Sequence, residues 1–142
     1  MTRDPYERRL AERVNRIAPG AYERLSDIPS LPEEQAEAVL RELLETGCLS
    51  QHCANIEAAR RAARRLPPEW TVRHLPKVVP GCLFQEREWQ EWEFRRAAEL
   101  LAPFPAALAW LTNYALSLKN PEVNEAIEDL AKEKEAEDVP TL

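Results

Sequence analysis

The sequence predicts an all-α fold built from antiparallel helix pairs, about seven helices in all. Three observations carry this. Ala, Glu, Arg and Leu dominate a chain of 142 residues with only three glycines, which is helix-forming composition. Apolar residues recur at i, i+3, i+4 and i+7 in three places: Ala59, Ala62, Ala63 and Leu66; Phe94, Ala97, Ala98 and Leu101, about 35 residues on; and Val123, Ala126, Ile127 and Leu130, about 30 further. No convincing strand pattern is present, because the one adjacent valine pair, Val78-Val79, lies between prolines. Small residues at the middle of each motif let a neighbouring helix come close. The expected domain covers residues 1–133, followed by an acidic flexible tail over 134–142.

The elements follow in order. Asp4 before Pro5 makes a capped helix start, Leu10, Val14 and Ile17 share a face, and Pro19-Gly20 ends the helix. Residues 21–31 read as a short helical turn and loop. Ser30-Leu31-Pro32-Glu33 reads as a capping box opening a helix with Ala36, Val39, Leu40, Leu43 and Leu44, stopped by Gly47. A helix from about Ser50 to Leu66 ends at Pro67-Pro68. Over residues 69–85, Pro76 and Pro80 predict a kinked helix, or two short ones meeting near Pro80-Gly81. Another helix runs from about Glu86 to Ala102. Residues 105–118 carry no charge and are apolar nearly all round, which predicts the most buried helix of the fold. Asn120-Pro121 caps the last helix, and beyond about Glu133 the apolar spacing stops.

Two stretches resemble helical-repeat proteins of the HEAT and armadillo type. One is His74-Leu75-Pro76-Lys77-Val78-Val79-Pro80-Gly81-Cys82-Leu83, with prolines among aliphatics. The other is Asn120-Pro121-Glu122-Val123-Asn124-Glu125-Ala126-Ile127-Glu128-Asp129-Leu130, with a polar cap and proline before Val, Ala and Leu. The resemblance covers roughly residues 50–133. The units are uneven and the family's loop arginine or aspartate ladder is not clear, so a short HEAT-like α-solenoid and an irregular helical bundle both stand as expectations. The resemblance implies a binding scaffold with a concave face made by second helices.

A hydrophobic fraction of 44% is ordinary for one globular domain, and a formal charge of −6 argues against general affinity for DNA or RNA. No stretch reaches the roughly 18 apolar residues of a membrane span, so no membrane association is expected. No signal peptide is visible after Met-Thr-Arg-Asp. Cys48, Cys53 and Cys82 therefore read as reduced, largely buried thiols, and the expected compartment is the cytoplasm.

Chemistry-bearing groupings are sparse. Cys48-x3-His52-Cys53, with His74 or Cys82 as a fourth ligand, is the best zinc-like set, but it lacks C-x2-C spacing and Cys53 points away from His52 on a helix. No metal, cofactor or catalytic residue is assigned. Glycines are isolated, so no phosphate-cradling loop is present. The carboxylates Glu122, Glu125, Glu128 and Asp129 read as a solvated face. Arg60, Arg61, Arg64 and Arg65 form the densest basic stripe and give the alternative reading, phosphate contact with a nucleic acid. The acidic segment 122–138 is expected to lie against that stripe, in this chain or a second copy.

The tryptophans carry the leading expectation. With Phe94, Ala97, Ala98 and Leu101 on the core side, about 100° per residue turns Trp89 and Trp92 to the opposite side with Arg96. They either bury against a neighbouring helix or mark a contact surface, since Trp and Arg concentrate interface energy. Arg96, four residues after Trp92, is positioned to stack on its ring. Trp70 and Trp110 are expected in the core. The reading is a non-catalytic protein-interaction module (an adaptor, regulator or immunity-type protein) with Trp89, Trp92, Arg95 and Arg96 as the patch, meeting a protein partner or a second copy.

Overall fold

The computed structural model describes residues 3–138, and over these the chain is all-α. Asp4 accepts hydrogen bonds from the backbone N–H groups of Tyr6 and Glu7, opening α1 (Pro5–Ile17). A 3₁₀ segment, Ala21–Ser30, leads to α2 (Glu33–Leu49), then α3 (Cys53–Ala63), α4 (Pro68–Cys82), a 3₁₀ turn Arg87–Trp89, α5 (Gln90–Leu101), α6 (Pro105–Leu116) and α7 (Pro121–Asp138).

Helix contacts arrange these elements in two rows. α1, α3, α5 and α7 touch in succession, as do α2, α4 and α6, while α2 lies against both α3 and α5. α2 is the central element and buries Ala36, Val39, Leu40, Leu43, Leu44, Gly47 and Cys48. The three spaced motifs fall on α3, α5 and α7, except that Leu66 lies just past the end of α3 at Ala63. The first two are buried throughout, and the third buries Val123 and Ala126 with Ile127 and Leu130 partly covered. The small residues allow a close approach, as expected: a Cβ on Gly47 would lie 3.3 Å from Ala59 and would clash with Leu100 Cδ1.

Several expectations are corrected. Gly47 does not stop α2; it sits inside the helix, where only a hydrogen fits between α3 and α5. The capping box at Ser30 does not form, because Ser30 Oγ donates to Asp27 O at 2.7 Å. Of the two alternatives for residues 69–85, the pair of short helices is overturned: α4 is one helix that runs through Pro76 and Pro80 to Cys82. The 105–118 helix is not the most buried: only Ala107, Leu111 and Ala115 of α6 are buried, and Leu116 is 49% exposed. α6 ends its row, with α4, α5 and α7 as its main neighbours. Trp110 is accordingly half-buried and stacks on Tyr114 at 5.2 Å, whereas Trp70 is buried as expected. α7 continues through residues 134–138, past the expected start of the tail, in a run of good helix formers with exposed side chains over 131–136. The rest of that expected tail, 139–142, lies outside the described residues.

Candidate functional site

The site begins in the loop after α4. Phe84 adopts the left-handed region at φ 64°, costly for a side chain of its size. Three buried polar side chains hold it there. The Phe84 N–H donates to Glu93 Oε1 at 3.0 Å, and Gln90 Nε2 donates to Phe84 O at 3.0 Å. Asn120 Nδ2 donates to Gln90 Oε1 at 3.0 Å and to Arg87 O at 3.2 Å, while Asn120 Oδ1 caps α7 by accepting from Glu122 N–H. Arg87 reaches across to Lys119 O at 3.1 Å, and Lys119 is itself left-handed at φ 53°. Two strained turns are thus fastened together, and the 3₁₀ turn between them presents Trp89.

Trp89 is 46% exposed and meets Trp92 edge-on, with ring centroids 6.1 Å apart. Trp92 is half-buried, and the Arg96 guanidinium lies over its ring at 5.2 Å, as the i, i+4 spacing predicts. Neither tryptophan is sealed between helices, so the burial alternative is corrected. Leu49, at the end of α2, is 40% exposed and faces the same cleft. This cleft, of about 340 Å³, is lined by Leu49, Gln51, Gln85, Glu86, Trp89 and Trp92, with Cys82 and Glu93 at its base. Arg95 is drawn away from the cleft: its guanidinium bonds Asp129 at 2.9 Å and Glu91 at 3.3 Å.

Glu93 is only 4% exposed. Burial pushes its carboxyl above the usual carboxylate range, opposed by the Phe84 N–H and reinforced by Glu86. Burial also raises both inner thiols, Cys82 to about 12 and Cys48 further, so neither is a ready nucleophile. Cys53 is exposed, correcting the expectation of largely buried thiols at that position.

The arginine stripe is largely spent inside the chain. Arg60 pairs with Glu99, Arg61 with Asp4 at 3.1 Å, and Arg65 donates to Tyr22 O at 2.6 Å while lying over the Tyr22 ring. Arg64 is exposed. The acidic face of α7 meets Arg95 through Asp129, and the stripe's partners come instead from α1, α5 and the 3₁₀ segment.

His52 is used structurally: Nδ1 accepts from Ala54 N–H to cap α3, and the ring stacks on Tyr6 at 4.7 Å. His74 stacks on Trp70 at 4.4 Å and contacts Glu37 at 2.9 Å. Glu33, Glu37 and His74 bring three ligand-type atoms within 4.8 Å of one another, but Lys77 Nζ sits 2.7 Å from Glu33 and 4.0 Å from Glu37. An ammonium already pairs with Glu33 in that group, which ties α2 to α4. Among the described residues no helix is long and apolar enough to cross a membrane.

Leu49, Gln90 and Glu93 were not singled out by the sequence. Leu49 joins the site from another helix, which no local spacing encodes. Gln90 and Glu93 did carry a signal, since they continue a stripe through Ala97 and Leu100 at i, i+3, i+7 and i+10, all buried. The chain matches no protein-family model, no curated protein and no solved structure.

Proposed function

We propose that the protein is a non-catalytic interaction module that docks a protein partner on the Trp89–Trp92–Leu49 cleft. The observation that carries this reading is the exposure of Trp89, held out by the buried Glu93–Gln90–Asn120 network. A chain that fixes two strained turns with internal hydrogen bonds to present an indole to water gains little stability from that indole, and contact with another molecule accounts for it. Trp92, with Arg96 over it, supplies a rigid second wall. The two-row order of helices supports the HEAT-like scaffold reading, and the free, exposed Cys53 favours a reducing, cytoplasmic setting.

Nucleic-acid binding has less support, because Arg60, Arg61 and Arg65 already have partners in the chain. The docking reading is tested by site-specific photocrosslinking in source cells, with a photoreactive phenylalanine analogue at position 89 and a control at the exposed Ser26. The same discrete protein adduct should form repeatedly from position 89 and not from position 26. Absence of an adduct at 89, or the same adduct from both positions, would sink the reading.

A further inference from the structure

The cleft has a charge pattern that narrows its ligand. Glu86 stands on its rim and Glu93 at its base, with Glu88 exposed on the adjoining 3₁₀ turn. No cation among the described residues pairs with any of the three. Arg95 is engaged by Glu91 and Asp129, Arg96 covers Trp92, and Arg87 is turned to Lys119 O. Glu93 is nearly buried, yet its only hydrogen bond among the described residues is the one from Phe84 N–H to Oε1, which leaves Oε2 for a donor arriving through the cleft. The walls are apolar and aromatic: Leu49 opposite two indoles set at 63° to each other. An alkyl stem ending in a positive charge matches both parts of this surface. The stem lies against Leu49 and the rings, the charge gains from indole quadrupoles, and a charge-assisted hydrogen bond to a carboxylate fixes the head.

We propose that the cleft receives a basic side chain of the partner, a lysine or arginine flanked by apolar residues, with its charged head at Glu86 and Glu93. The inference rests on the docking reading and names the chemistry of its ligand. Three pentapeptides differing at one position test it on the full chain: Ac-Ala-Leu-X-Leu-Ala-amide with X as lysine, norleucine or glutamate. Norleucine keeps the alkyl stem and removes only the ammonium. Binding is followed by the NMR shifts of the tryptophan indole N–H groups.

The lysine peptide should move the Trp89 and Trp92 resonances and bind at least about tenfold more tightly than the norleucine peptide, with glutamate weakest. The paired change Glu86→Gln and Glu93→Gln should abolish the lysine preference while leaving norleucine binding in place. Equal binding of lysine and norleucine peptides, or no indole shift with lysine, overturns the inference. Neither outcome would remove a crosslink from position 89, so failure of the charge selection and failure of the docking reading are told apart.

Discussion

Asn120→Ala should be among the most damaging single changes outside the apolar core, and its cost can be assembled from the bonds it breaks. Asn120 Oδ1 caps α7 at Glu122 N–H, and loss of such a cap costs about 1 kcal/mol. Its amide also donates to Gln90 Oε1 at 3.0 Å in a buried setting, and stranding that acceptor costs roughly 1–3 kcal/mol. The expected total is about 2–4 kcal/mol. Asn120→Asp separates the two contributions. A carboxylate still caps α7 and suits a helix N-terminus, but it cannot donate to Gln90 Oε1 or Arg87 O. The aspartate variant should therefore recover about 1 kcal/mol of the alanine loss and no more. Urea denaturation gives the free energies, and native-state amide exchange at residues 84–89 reports whether the Trp89 turn loosens in both variants. The reasoning fails if Asn120→Ala costs less than about 0.5 kcal/mol, or if Asn120→Asp is as stable as the parent with unchanged exchange.

Gly47→Ala should destabilise by about 0.5–2 kcal/mol, since overpacking against Leu100 outweighs the roughly 1 kcal/mol gained in helix propensity; in a Leu100→Ala background the sign should reverse, and a stabilising effect in the parent chain would refute the close approach. Gly81→Ala, where an added Cβ meets nothing within 4 Å, should instead stabilise by about 0.5–1 kcal/mol in the same denaturation assay. Glu93 sets a pH dependence. Its folded pKa is raised, so the stability it contributes through its proton is fully present below the unfolded value near 4.5 and is lost as pH rises through the folded value. Glu93→Gln keeps an acceptor for Phe84 N–H and abolishes the titration, so the variant should gain stability relative to the parent between pH 4.5 and neutrality; a difference independent of pH would contradict the burial account.

What could be read from the sequence was what depends on helical phase. The core face of α5 and the outward side of Trp92 follow from 100° per residue, and Arg96 over Trp92 follows from the i, i+4 relation, whereas Trp89 is turned out by the 3₁₀ turn that precedes α5. What could not be read depends on which helices become neighbours. The uncharged stretch 105–118 predicts a deep position, yet α6 closes a row and leaves Ala109 and Leu116 exposed. Gly47 has the residue type of a helix stop but serves as a contact between three helices. Glu93 and Gln90 are polar residues on a buried stripe because they answer the backbone groups of a left-handed Phe84, a turn that no local motif announces. Leu49 reaches the site from α2, so the cleft exists only in three dimensions.

The central claim is that Trp89 serves contact rather than folding. Its most direct test is the unfolding free energy of Trp89→Ala, set beside Trp70→Ala and measured on the same chain whose capture by crosslinking is followed from position 49. Trp89→Ala should cost at most about 1 kcal/mol, the scale of its edge-on contact with Trp92, and should abolish the crosslinked adduct. Trp70→Ala should cost about 3–5 kcal/mol. A Trp89→Ala loss approaching that of Trp70, or an adduct that survives it unchanged, would contradict the account.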